Sequence, residues 1–292
     1  DSRTAYVTLQ EANAVAVVDI RTARVTEVLP LGLKDHRLPG NGLDPTDDDE
    51  TAAIMNPTVP VFGMYQPDAI AVFEVGGERY LVTANEGDVR EWGDYEEGTR
   101  ARNLAEDGLL DPAAFPDGLP EELERLNVST ATGDVDGDGD FDELHAFGAR
   151  SFSIWTADGQ LVFDSGDQIE QIVAAQVPEF FNTNNDENEI DKRSDDKGPE
   201  PEGVTVGVVD GRAYAFVALE RQGGVLVFDV TDPSAPAFVQ WANTRDYEAD
   251  PYDTDSGPEG LAFVPAAGSP TGGPLLLAGN EVSGTVVAFQ IG

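Results

Sequence analysis

The sequence predicts an all-β fold of the β-propeller kind, and three observations predict it. Apolar runs rich in Val, Ile, Ala and aromatic residues recur along the chain, each bounded by Gly, Asn or Asp turns. Three of these runs open on one signal: Pro67-Asp68-Ala69, Pro201-Glu202-Gly203 and Pro258-Glu259-Gly260. The units behind them share placed charges as well as alternation. They read PDAIAVFEVGGERYLVTANEGD, PEGVTVGVVDGRAYAFVALERQGGVLVFDV and PEGLAFVPAAGSPTGGPLLLAGNEVSGTVVAFQI. Each runs from an acid through a strand, a turn and a second strand to a Glu. Repeats of about 40–50 residues with several strands per unit are the mark of a propeller.

In order, residues 5–9 and 14–20 form a hairpin, and residues 24–31 add a third strand. Residues 32–60 form a long acidic insertion. A loop of that length in a compact domain is functional or mobile. Strands at 69–75 and 80–84 follow, then a second insertion at 88–127 with a short helix at 121–126. Short strands are expected at 143–147, 151–156 and 160–164, with Ala157-Asp158-Gly159 as a hairpin turn. A helix at 167–175 leads into a third insertion, 176–200. Strands at 204–209, 213–219, 225–230 and 237–241 make the clearest unit, and a last unit runs from 258 to 291. Residues 1–292 are thus one propeller domain or its C-terminal blades.

Composition bounds the partners. With 17 basic and 56 acidic residues the formal charge is −39. Such a field repels nucleic acid and anionic membrane surfaces and favours bound cations. Lysine occurs only at Lys34, Lys192 and Lys197, which suits an extracellular or high-salt setting. Cysteine is absent, so there is no disulfide framework. No apolar run approaches the roughly 18–20 residues of a membrane span. The chain opens at Asp1 with no signal peptide in view, as a processed product or a fragment would.

The strongest chemical motif is Asp134-Val-Asp136-Gly-Asp138-Gly-Asp140-Phe-Asp142. Acids at alternate loop positions wrap hard oxygen ligands around Ca²⁺, and Gly139 allows the sharp turn. By that register Asp134, Asp136 and Asp138 offer side chains, Asp140 its carbonyl, and Asp142 a direct or water-mediated ligand. An EF-hand would need Glu where His145 stands, and a strand follows, so the site is a short inter-strand calcium loop of structural role.

The second constellation is the repeated acids: Asp68, Glu202 and Glu259 before or within first strands, and Glu11, Glu86, Glu220 and Glu281 after the matching strands. Equivalent positions in a propeller face one end or the central channel. They can form a site for a second divalent metal or a polar substrate, helped by Arg193, Lys197 and Arg221, or they can cap backbone amides of the next turn. The stretch Arg193–Gly203, RSDDKGPEPEG, joins these acids. Its front half, with Arg193, Asp195, Asp196 and Lys197, is explained by no repeat and supplies candidate catalytic residues together with Glu202 and Glu259. His36 lies in a turn and is expected to be exposed. Trp155, Phe163, Phe228 and Phe289 read as core.

The segments GLKDHRLPGNGLD, YQPDAIA, YLVTANEGDVREW, GDVDGDGDFDELHAFGARSFSIW, RSDDKGPEPEGV and LERQGGVLVFDVTDP resemble the choice-of-anchor I family, as does GPEGL with the later NEVSGT. These are bacterial surface or secreted propeller proteins, some carrying an alkaline phosphatase label. The resemblance spans essentially the whole chain. It implies YVTN/WD40-like blades and an extracellular, cell-surface or periplasmic location. Family members usually carry further repeats before the AYVTLQEAN segment, so the chain resembles the C-terminal part of the family domain, with missing blades supplied by another chain if at all.

Two function classes follow. One is a non-catalytic, calcium-stabilised module that binds a protein or surface polymer. The other is a metal-dependent phosphoesterase acting on a phosphoester through the carboxylate ring. The scarcity of cations to hold a phosphate favours the first.

Overall fold

The computed structural model describes residues 2–292. It is an all-β chain built from separate sheets, with no closed barrel. Four antiparallel meanders form the frame. The first contains Thr4–Leu9, Ala14–Asp19 and Arg24–Pro30. The second contains Ala69–Val75, Glu78–Asn85, Ser151–Thr156 and Leu161–Asp164. The third contains Pro201–Val209, Arg212–Leu219, Val225–Asp229 and Ala237–Ala242. The fourth contains Pro258–Val264, Leu275–Asn280 and Thr285–Gln290. Each Pro-acid-small signal marks the entry to the first strand of a sheet, as expected.

The sheets pack in chain order, because each strand turns its apolar residues toward the neighbouring sheet. Val15 and Leu29 of the first sheet meet Leu81 and Trp155 of the second. Phe152 and Ile154 of the second meet Val217 and Phe228 of the third, with Phe152 and Phe228 ring centres 4.6 Å apart. Phe216 and Val227 of the third meet Leu276 and Ala278 of the fourth. The first strands of successive sheets also lie side by side from Thr4–Leu9 through to Pro258–Val264. Gly203 shows how close that approach is, since a Cβ there would sit 2.1 Å from the Glu259 carbonyl oxygen.

The insertions are not free loops. Leu33–Asp35, Val61–Met64, Gly98–Arg100, Asn127–Ser129 and Leu144–Ala146 join in a five-stranded sheet. A short strand is expected at 143–147, and Leu144–Ala146 is one, but it does not join the sheet of the strands that follow it. It instead pairs parallel with Val61–Met64, and only the next two strands complete the second meander. This accessory sheet has its own core of Leu43, Val61, Leu104, Phe115, Leu126 and Val128. The helix expected at 121–126 is a single 3₁₀ turn, Glu121–Leu123, whereas Gln168–Gln176 is α-helical.

His36 corrects an expectation: it is buried, with 1% exposure. The accessory sheet covers its turn, Nδ1 donates to the Asn41 carbonyl at 2.7 Å, and Nε2 has no partner among the described residues. Burial, then the positive charge of Lys34, pushes its pKa down to about 3. The unfolded chain therefore takes up a proton near pH 6.5 that the folded state refuses. Stability is intact above that pH and falls by up to about 1.4 kcal/mol per unit below it. In urea titrations at pH 7.5 and 5.5, the wild type is expected to lose about 1 kcal/mol relative to His36→Asn. Equal losses would show that His36 does not titrate in this way.

Candidate functional site

The repeated acids meet at one edge of the frame. In each sheet the second strand returns antiparallel to the first, pairing Ala69 with Ala84 and Pro201 with Leu219. The residue before a first strand and the residue after a second strand therefore share an edge. Carboxylate oxygens of Asp68, Glu86 and Glu202 lie within 4.8 Å of one another, as do those of Glu86, Glu200 and Glu220.

Glu200 is the centre of the inner group. It is fully buried in a left-handed backbone conformation at φ 52°. Arg193 Nε and Nη2 donate to its Oε1 at 2.9 and 2.6 Å. Lys197 Nζ and Arg221 Nε each lie 3.1 Å from its Oε2. Burial alone would push this carboxyl up, but Lys197, Arg193 and Arg221 together hold it well below the usual carboxylate range. Lys197 Nζ also bonds Glu86 Oε1 and donates to the Gly87 carbonyl at 2.9 Å, so its three protons are all engaged. Gln10 Nε2 reaches Glu86 Oε2 at 2.7 Å, and Asn185 Nδ2 reaches Glu220 Oε1 at 2.7 Å.

The outer acids are in the opposite state. Burial, then Glu86, Glu220 and Asp68, pushes half-buried Glu202 up to about 10. Burial and Glu200 push Glu220 up to about 8. Burial pushes Glu86 up to about 7, with Lys197 opposing and Glu200 adding to it. Burial and Glu259 raise Asp68. Carboxyls crowded in this way hold protons unless a cation is present. The donor set is entirely hard oxygen, which suits Ca²⁺ or another hard divalent ion.

The structure sorts the other sequence candidates. Arg193 and Lys197 join the cluster through Glu200. Asp195 does not: it is buried against Arg100 at 2.8 Å and Arg125 at 3.2 Å. Asp196 ties Arg193 and Arg100, each at 3.2 Å, and stands outside the carboxylate groups. Glu259 is exposed and outside both groups, though near enough to raise Asp68. Glu11 and Glu281 also lie outside them. Sequence reasoning missed Glu200, Gln10 and Asn185. Glu200 had a signal in the doubled Pro-Glu of PEPEG, while Gln10 and Asn185 had none.

In the acidic loop, Asp134, Asp136 and Asp142 come together with carboxylate oxygens within 4.8 Å, and Asp138 and Asp140 are not part of that group. Asp134 accepts from the amides of Gly137 at 2.7 Å and Gly139 at 3.1 Å, and Asp142 from Val135 at 2.7 Å. Gly139 has φ 103°, which the sharp turn requires. Asp138, the largest cause, raises the Asp136 pKa.

Residues 1–233 match the family model of the choice-of-anchor I domain. The chain belongs to the choice-of-anchor I family. The match includes the acidic loop, Arg193–Gly203 and the cluster from Asp68 to Glu220, and stops before the fourth sheet. Gigasin-3a of Magallana gigas is 32% identical over 184 residues, covering 58% of this chain and 64% of that protein. The mesenchyme-specific cell surface glycoprotein of Strongylocentrotus purpuratus is 30% identical over 239 residues, covering 70% of this chain and 30% of that protein. The choice-of-anchor I chain thus spans less than two thirds of either relative.

Proposed function

We propose that this chain is an extracellular or cell-surface, calcium-binding β-propeller module that binds a protein or surface polymer. The observation that carries this reading is the charge arrangement at the frame's edge. Asp68, Glu86, Glu200, Glu202 and Glu220 gather there, and the neighbouring cations Arg193, Lys197 and Arg221 are all engaged by carboxylates. The cluster is built to take a cation, and these side-chain cations are already paired with carboxylates, leaving little positive charge for a phosphate. That weighs against the phosphoesterase reading. A relative described as a cell surface glycoprotein supports the location.

The propeller reading rests on the side-by-side first strands and on the matched entry signals. Residues 1–292 form one propeller domain or a run of its blades, with the fourth sheet at an open end. Gly203 needs its missing Cβ because the next sheet touches it, whereas Gly260, its counterpart, has nothing within 4 Å among the described residues. Further blades, from another chain or segment, would fit against that face.

Calcium is assigned to the Asp134–Asp142 loop and, as a second divalent ion, to the Asp68–Glu86–Glu202 group. Purified protein stripped with chelator is expected to melt lower and to recover on adding Ca²⁺, with about 2.7 kcal/mol gained at 100 times the dissociation constant. Asp136→Asn is expected to remove one equivalent of bound calcium. A melting curve indifferent to Ca²⁺, with no metal retained, would sink the assignment. A phosphoester hydrolysis assay with and without Ca²⁺ separates the classes: metal-dependent turnover abolished by Glu202→Gln would replace the binding module with an enzyme.

A further inference from the structure

A second polar site lies beneath Arg193–Gly203, where no repeat position predicts one. The helix Gln168–Gln176 contributes Glu170, the loop after it contributes Asn182, Asp191 and Ser194, and Asp44 comes from the first insertion. All five are at most 1% exposed. Glu170 Oε1 accepts from Arg150 Nη1 at 3.0 Å and from Asn182 Nδ2 at 2.9 Å. Asn182 Nδ2 also donates to Ser194 Oγ at 2.8 Å, and the Ser194 hydroxyl donates to Asp191 Oδ1. Glu170 Oε1, Asn182 Nδ2 and Asp191 Oδ1 are thereby held.

The remaining polar atom of each of these three side chains is not. Among the described residues six buried side-chain atoms lack a hydrogen-bond partner, and three of them are here: Glu170 Oε2, Asn182 Oδ1 and Asp191 Oδ2. All three are acceptors. A buried acceptor left without a donor pays its desolvation with nothing in return, and more so when charged. Charge is unbalanced as well. Asp44, Glu170 and Asp191 bring three carboxyls, and the guanidinium that donates here is that of Arg150, to Glu170 and to the carbonyls of Asp44, Ser194 and Asp196. The nearby Arg100 and Arg125 are engaged by Asp47, Asp195 and Asp196. Burial and then Glu170 push Asp44 up to about 7, and burial and neighbouring acids push Asp191 up to about 8. Those shifts show how unfavourable the site is when only protons are available.

We infer that this site holds one divalent cation of the calcium class, taking Glu170 Oε2, Asn182 Oδ1 and Asp191 Oδ2 as ligands, with water completing the shell. The donors are all hard oxygen, and a double positive charge balances the local excess of two carboxylates. The ion pins the loop after the helix to the helix itself. It thereby holds the base of the segment that presents Lys197 and Glu200 to the outer cluster.

The test is Asp191→Asn, which keeps the acceptor for Ser194 and replaces the unpartnered oxygen with an amide. Calcium per chain is measured by elemental analysis after dialysis against CaCl₂, with circular dichroism confirming the fold. The variant is expected to bind one calcium fewer than its parent, in the wild-type and Asp136→Asn backgrounds alike. In chelator it is expected to melt above the parent, because the cost of protonating the buried carboxyl on folding is gone, and in calcium below it. Asn182→Asp gives the reverse: lower melting in chelator and at least several-fold tighter Ca²⁺ binding. Unchanged stoichiometry in Asp191→Asn, or a melting order that calcium does not invert, overturns the inference and leaves the three oxygens to a proton or water. Because the parent can lose its loop calcium independently, failure here is distinguishable from failure of the Asp134–Asp142 assignment.

Discussion

Replacing Glu200 by glutamine is expected to cost about 3–5 kcal/mol at pH 7, while Glu202→Gln, two residues on, is expected to stabilise the metal-free protein by about 1–2 kcal/mol. The signs differ because the environments do. Glu200 is fully buried between Arg193, Lys197 and Arg221, so its folded pKa lies below the unfolded value. Its contribution is present above about pH 4.5 and is lost as pH falls through the folded value. Removing its charge leaves three cations without their shared partner, a cost set by desolvation. Glu202 is pushed up to about 10 by burial and three neighbouring acids. At pH 7 it folds only by taking up a proton, and the amide relieves that cost. The gain is discounted for its partial exposure, and it disappears below about pH 4.5, where the unfolded carboxyl is protonated too. With Ca²⁺ present, Glu202→Gln should forfeit the calcium-dependent gain at the outer group. Urea midpoints for both variants, in chelator and in calcium, check all four values. Two destabilising variants in chelator would show that Glu202 is structural and not part of a cation site.

Gly148→Ala is expected to cost at least about 4 kcal/mol, or to prevent folding. Gly148 has φ 75°, and a Cβ there would lie 2.0 Å from the Glu86 carbonyl oxygen. Gly87 faces it with φ 95°, and a Cβ on that residue would lie 2.2 Å from the Gly148 amide nitrogen. Two backbones cross here with no room for a side chain, which only glycine permits. The crossing also sets the site, because Gly87 offers Lys197 its carbonyl and Glu86 supplies both carboxylate groups. Expression yield and melting temperature test this. A fully folded Gly148→Ala with unchanged melting would show that the approach relaxes freely. Gly76→Ala, at φ 64° with nothing within 4 Å, serves as the control and should show only the smaller cost of a left-handed alanine.

The strand framework was legible because it depends on local signals. Alternating apolar runs and Gly or Asn turns place the hairpins, and Pro-acid-small marks the first strand of three of the four sheets. The acidic loop was legible for the same reason, since Asp134, Asp136 and Asp142 need only nine residues of chain to meet. The second meander was half hidden. Its strands Glu78–Asn85 and Ser151–Thr156 pair across the accessory sheet, and no local pattern records a pairing over that separation.

The sequence by itself determined the class of fold, the acidic character, the acidic loop and the edge to which the repeated acids point. All of these follow from composition or from spacing within one hairpin or turn. Only the tertiary structure decided which charges meet. Asp195 and Asp196 read like site residues, yet Arg100, from a different insertion, holds both. Glu200 stood out in no sequence reading, yet it gathers Arg193, Lys197 and Arg221. His36 read as exposed, yet the accessory sheet buries it. The physical reason is common to the three. Burial and long-range charge pairing set the state of an ionisable group, and both depend on segments far away in the chain.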